Sequence, residues 1–172
     1  TLWFFAHEVA HLYQPGNTDG VSENNEQSWL HEGNADYFAA LAMNFLYEDT
    51  SSYVENRTIR AFESCIEGLE QTTLANAYKT GHFNLYYSCG MIMHRAIDNV
   101  VQQKTFGEES LFTVWQRLQK AVSKGMPPGT TTFLTLLEPY NAPELMKAIN
   151  DATRNDALKA IQGIEALYQM NQ

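Results

Sequence analysis

Apolar positions recur along this chain at intervals of three and four residues, in long runs punctuated by Gly, Pro and Asn. Such spacing lines one face of a helix. Nowhere does the two-residue alternation of a half-buried strand persist. The first run covers about Leu2 to Tyr13 and is predicted to stop at Gln14-Pro15-Gly16, where proline and glycine break it. Asn17 to Gln27 is polar, carries Gly20, Asn24 and Asn25, and reads as an exposed loop. A second helix should open at Ser28, a good N-cap residue, and continue to about Tyr47. Its Tyr37, Phe38, Leu41, Ala42, Phe45 and Leu46 imply burial over much of its surface.

Ser52-Tyr53-Val54-Glu55 has the form of a capping box and should begin a third helix, with Ile59, Phe62, Ile66 and Leu69 at core-facing spacing. Thr72 to Phe83, with Gly81, reads as an irregular connector. A fourth helix is predicted from Leu85 to about Gln103. A fifth, Glu108 to Lys124, turns Leu111, Phe112, Trp115, Leu118 and Val122 inward. Gly125 suits a C-terminal cap, and Met126-Pro127-Pro128-Gly129 a turn. Beyond Thr130-Thr131-Thr132 a short helix runs through Glu138 and is stopped by Pro139. Two more begin near Pro143, favourable at a first helical position, and at about Asp156, the last ending near Met170. The expectation is one all-α domain over residues 1–172, with six to eight helices and no internal repeat.

Composition narrows the function classes. The 172 residues are 44% hydrophobic and 18% charged, values of a folded domain of ordinary size. No apolar run reaches the length of a transmembrane helix. A net charge of −9 argues against a nucleic-acid partner, because phosphates would be repelled. Cys65 and Cys89 are too few for a disulfide framework. They can pair if their helices are neighbours, and two buried free thiols fit the sequence as well. None of this assigns a compartment.

The chemistry is concentrated in His7-Glu8-Val9-Ala10-His11. Residues four apart on a helix point the same way, so His7 and His11 can share one Zn²⁺. Glu8 beside them is placed to act on a metal-bound water. The plain alternative is a core helix that carries two histidines by accident. Hydrolytic zinc sites usually take three protein ligands and leave a fourth position to water. A second polar-aromatic segment follows as Ser28-Trp29-Leu30-His31-Glu32-Gly33-Asn34-Ala35-Asp36-Tyr37-Phe38.

With that segment the chain resembles the gluzincin metallopeptidases, which include thermolysin-like and aminopeptidase-N-like enzymes. Trp29-Leu30-His31-Glu32-Gly33-Asn34-Ala35-Asp36-Tyr37 is similar to the aminopeptidase pattern Trp-Leu-Asn-Glu-Gly-x-Ala-x-Tyr, although two more residues precede the Glu than is usual. The resemblance implies that Glu32 is the third zinc ligand. It also implies that Asp36, four residues on and on the same face, receives the outward N–H of a ligand histidine, as carboxylates at metal sites commonly do. Tyr87-Ser88-Cys89-Gly90 is similar to the family's Tyr-x-x-Gly-Ala segment, with Ser88 and Cys89 where Glu and Lys are usual. It implies that Tyr87 supports the oxyanion, whereas Tyr86 points about 100° away around the helix. His82 reads as a solvated loop residue and His94 as structural.

The implied activity is hydrolysis of a peptide bond in a peptide or protein substrate, with zinc held by His7, His11 and Glu32 and with Glu8 as general base. The implied fold is the helical catalytic subdomain of such an enzyme. A chain that opens directly on its active-site helix is expected to be part of a longer protein, whose N-terminal β-rich domain would complete the cleft; the isolated piece is then expected to be inactive even with zinc bound. The aminopeptidase Gly-x-Met-Glu-Asn strand, which anchors a substrate's free amine, does not occur in these residues. Two other readings compete: a noncatalytic peptidase-like helical domain that binds a partner, and a zinc hydrolase that acts on a non-peptide substrate such as an epoxide.

Overall fold

A computed structural model describes residues 2–15, 28–47 and 53–171. Among these residues all regular structure is helical. In chain order the α-helices are α1 (Leu2–His11), α2 (Ser28–Leu46), α3 (Tyr53–Leu69), α4 (Ala77–Thr80), α5 (Asn84–Lys104), α6 (Leu111–Ser123), α7 (Thr130–Thr135), α8 (Pro143–Ala152) and α9 (Ala157–Gln169), with one 3-10 turn at Glu138–Tyr140. The expected all-α class holds. The described residues carry nine α-helices rather than six to eight, in part because the connector before Asn84 contains the single-turn α4. The loop expected over Asn17 to Gln27 and the N-cap expected at Ser52 lie outside the described residues. No described helix is long and apolar enough to cross a membrane.

α5 is the axis of the fold. Leu85, Met91, Ile92, Met93, Ala96, Ile97 and Val101 are at most 1% exposed, so the helix is enclosed on nearly every side, as its composition demands. α2 and α3 pack most extensively against it, α6, α8 and α9 complete the surround, and α1 lies on α2. Asp98 ties three elements together. Its Oδ2 accepts from the Tyr37 hydroxyl at 2.6 Å and its Oδ1 from the Leu111 backbone N–H at 2.8 Å. A carboxylate at the start of α6 also complements the positive end of that helix.

α2 and α5 cross at two glycines. A Cβ built on Gly33 would lie 2.2 Å from the Gly90 carbonyl carbon, and one on Gly90 would lie 2.6 Å from the Trp29 carbonyl oxygen. The helices therefore touch backbone to backbone, which only residues without a side chain permit. Nearby, Cys65 of α3 and Cys89 of α5 form a disulfide with their Cα atoms 5.0 Å apart. That decides between the two states the sequence left open.

Two helix faces differ from expectation. α3 buries Val54, Thr58, Ala61, Cys65, Gly68 and Leu69, while Ile59 is 37% exposed and Phe62 and Ile66 are only half-buried. Small side chains on the inner stripe let α3 approach α5 closely, and the larger apolar residues flank the contact; Phe62 stacks on Tyr168 of α9 at 4.0 Å between centroids. On α2 the buried residues end at Ala40. Phe45 and Leu46, expected inside, are 87% and 61% exposed, because the helix runs past the bundle there. Phe112, also expected inside, is half exposed and stacks on Phe38 at 4.3 Å.

Two stability measurements follow. The disulfide closes a loop of sequence separation 24, for which chain-entropy arguments give about 3–4 kcal/mol. Replacing Cys65 and Cys89 together by Ala should lower the unfolding free energy in urea by that order, and a reductant should bring the wild type to the same value. Gly33→Ala should cost about 3 kcal/mol or more in the same assay, since its methyl group meets backbone that cannot rotate aside.

Candidate metal centre

α1 turns His7 and Ala10 inward, while Leu2, Phe4, Phe5, Leu12 and Tyr13 stay exposed. His11, one helical turn beyond His7, presents its ring on the same face. Opposite them stands Glu32, delivered by the first turns of α2. His7 Nε2 lies 3.1 Å from His11 Nε2. Glu32 Oε2 lies 3.3 Å from His7 Nε2 and 3.5 Å from His11 Nε2. A tetrahedral ion with bonds of ~2.0–2.1 Å to such donors separates them by ~3.3–3.4 Å. The three atoms therefore already sit near the spacing of three corners of that tetrahedron, and the group could hold a metal ion. Two imidazoles and a carboxylate suit zinc and other first-row divalent metals alike.

The hydrogen bonds behind the rings decide which nitrogens carry protons. His7 Nδ1 faces Asp36 Oδ1 at 2.9 Å; a carboxylate only accepts, so Nδ1 bears the hydrogen. His11 Nδ1 faces Gln14 Oε1 at 2.8 Å. The Gln14 amide cannot be reversed, because its Nε2 donates to the His31 carbonyl oxygen at 2.9 Å. His11 Nδ1 is therefore a donor too, as is His31 Nδ1, which shares the same Gln14 oxygen at 2.9 Å. In both neutral histidines the Nε2 lone pair is turned toward the other and toward Glu32. Three lone pairs converging at these distances require a cation among them, either a proton or a metal ion.

The charge balance agrees. Burial works against a charged His7, but its hydrogen bonds to Asp36 and Glu32 prevail and raise it to about 9. Burial likewise opposes ionisation of Glu32, and the hydrogen bonds from His11 and His7 outweigh it, holding the carboxyl down at about 2. Burial beside His11 drives His31 down to about 4, so it is neutral. Asp36 is also 3.7 Å from Arg57 Nη2, and the Arg57 guanidinium lies over the Trp3 ring at 3.9 Å.

Tyr87 reaches the site from α5. Its ring stacks on His7 at 5.7 Å between centroids, and burial beside the Glu32 carboxylate pushes its hydroxyl up to about 12, keeping it protonated. Glu8 is exposed, and its charge is felt by the Tyr87 hydroxyl. Of the residues singled out from sequence, His7, His11, Glu32, Asp36 and Tyr87 are thus brought together, with Glu8 on the solvent side. Tyr86 is elsewhere: it is buried, and its hydroxyl accepts from the Tyr78 backbone N–H at 3.1 Å. His94 is fully buried, donates from Nδ1 to the Gly90 carbonyl at 2.8 Å and packs beside Trp29 and Trp115. His82 contacts Thr80 and Gln71, each at 3.1 Å.

Two residues were missed. Gln14 was read only as the end of a helix, although a residue three positions after His11 falls on the face of the histidine pair. His31 gave no signal, since its role depends on Gln14. Compared with known protein families, with curated proteins and with solved structures, the chain finds no match in any of the three.

The pH dependence of stability distinguishes a proton from a metal ion at this centre. A His7 raised from 6.5 to about 9 stabilises the metal-free fold fully below pH 6.5, and that contribution is lost as pH rises through 9. A metal ion must instead displace the proton, so its stabilising effect should grow over the same window. Melting curves with a chelator and with added zinc are expected to diverge steadily from pH 6.5 to 9.

Proposed function

We propose that this chain carries the catalytic centre of a zinc-dependent hydrolase of peptide bonds, in the manner of the gluzincins. The observation that supports it most is the converging lone-pair triad of His7, His11 and Glu32, with both histidine tautomers set from behind by Asp36 and Gln14. Zinc bound to that triad would supply a Lewis acid and bring the pKa of a coordinated water from that of bulk water to about 7.

The remaining work falls to side chains of this chain. Glu8, next to His7 on α1 and open to solvent, accepts the proton of the attacking water and returns it to the leaving amine. Tyr87, kept protonated at the edge of the triad, donates to the oxygen on which negative charge develops, a contribution of about 2–4 kcal/mol for a single well-placed donor. Asp36 stabilises the N–H tautomer of His7 and restricts the ring to one orientation. The peptide as substrate class rests on the similarity of the Trp29–Tyr37 segment to aminopeptidase sequences.

Elemental analysis and turnover of a peptide library test this reading. One zinc per chain is expected for the wild type and for Glu8→Gln, with zinc lost in His11→Ala. Glu8→Gln should lower kcat by about 10²–10⁴-fold. Stoichiometric zinc in His11→Ala would overturn the ligand set, and undiminished turnover in Glu8→Gln would overturn the general base.

A further inference from the structure

Asp36 and Tyr87 have a second neighbour. A cavity of about 260 Å³ opens beside them between α3 and α5, the size of a subsite for one side chain or terminal group rather than for a whole ligand. Its polar lining is weighted toward donors. α3 contributes Arg57, Arg60 and Ser64, and α5 contributes Asn84, Tyr87 and Ser88. The one carboxylate in the wall, Asp36, already accepts from His7 and faces Arg57.

The arginines of the chain differ in how they are satisfied. Arg95, Arg117 and Arg154 each pair with a carboxylate, on Glu55, Glu109 and Asp151 respectively. Arg57 is drawn between Asp36 and the Trp3 ring, and its Nε is buried with no hydrogen-bond partner. Among the described residues no carboxylate pairs with Arg60, although the chain has 20 acidic residues. Arg60, exposed at the wall of a cavity beside the candidate metal centre and without a carboxylate partner among the described residues, is open to a carboxylate from outside the chain. Its planar fork of donors matches a carboxylate.

We propose that this cavity is a subsite for a carboxylate of the substrate, engaged chiefly by Arg60 with Arg57, Ser64 and Asn84 around it. The centre then prefers peptides that carry a negative charge next to the cleaved bond. The proposal builds on the hydrolase reading, since it takes the substrate to lie across the triad. Two sources of the carboxylate share this chemistry, an acidic side chain and the C-terminal carboxylate of a short peptide.

The test uses the full chain loaded with zinc and three blocked tetra-alanine peptides: a neutral amide, the same peptide with a free C-terminal carboxylate, and an amide with one alanine replaced by glutamate. Calorimetry at 0.15 M salt gives the affinities. One of the two charged peptides should bind at least tenfold more tightly than the neutral one, and which of them does so identifies the source. Arg60→Gln should bring the ratio to near one, whereas Lys104→Gln, an equal loss of charge on the exposed end of α5, should leave it in place. Arg60 is exposed, so its replacement should fold, and an unchanged urea midpoint checks this. Equal affinities in the wild type, or a preference that survives Arg60→Gln, would overturn the subsite. A failure of the hydrolase reading shows separately, as absent zinc in the elemental analysis.

Discussion

The contact on which this structure depends most is the meeting of α2 and α5 at Gly33 and Gly90. Side chains in a packed interior hold most helix axes 8–10 Å apart; two glycines remove that spacer where these helices cross. Glu32 precedes Gly33, and Tyr87 lies one turn before Gly90. The close approach therefore sets how far the Glu32 carboxylate stands from the Tyr87 phenol. Since α1 lies on α2, the histidine pair is carried into the same frame. The disulfide between α3 and α5 holds a second face of α5, about 100° around the helix from the crossing. His7, His11, Glu32, Asp36 and Tyr87 all ride on helices, and the crossing of α2 and α5 is located by backbone contact rather than by adaptable side chains. This is the kind of support a site with sub-ångström tolerance needs.

Periodicity made the helices legible because an amphipathic helix advertises itself by which residues it buries. It also misled where the buried residues were small. On α3 the conspicuous apolar side chains, Ile59, Phe62 and Ile66, flank the contact, and Thr58, Ala61, Cys65 and Gly68 make it. A scan for large hydrophobic residues finds Leu69, which is buried, and the flanking Phe62 and Ile66, but overlooks the small residues at a close helix contact, since closeness is what excludes large ones. α4 was invisible for a related reason. It is a single turn, too short for a period, ended by Gly81 in a left-handed conformation (φ 76°) and held by Leu74 and Ala77, which are buried singly.

At the candidate centre, legibility followed distance along the chain. His7 and His11 share a face by helix geometry alone, so their pairing needs no tertiary information. Asp36 follows from Glu32 by the same rule, once Glu32 is granted. That Glu32 faces the histidines depends on how α1 and α2 fold together, and only resemblance to a family supplied it. Gln14 and His31 lay beyond reach altogether. The Gln14 amide bridges the end of α1 and the start of α2, with its oxygen shared by two histidine N–H groups and its own N–H on a backbone carbonyl. Pairing of Cys65 with Cys89 was likewise undecidable without knowing that α3 and α5 are neighbours.

Asp36 is where the candidate metal centre and the arginine cavity meet. One of its oxygens receives the His7 N–H, and the other faces Arg57. Negative charge drawn toward Arg57 is charge not available to His7, so the guanidinium would temper how strongly Asp36 supports the imidazole toward a metal ion. An anion in the cavity would compete for the same guanidinium and so return electron density to the Asp36–His7 pair. Occupancy of the cavity and the donor strength of His7 would then be coupled through a single carboxylate. Such coupling would be reciprocal: a cation among His7, His11 and Glu32 would also adjust how much of Arg57 is left to meet an anion in the cavity.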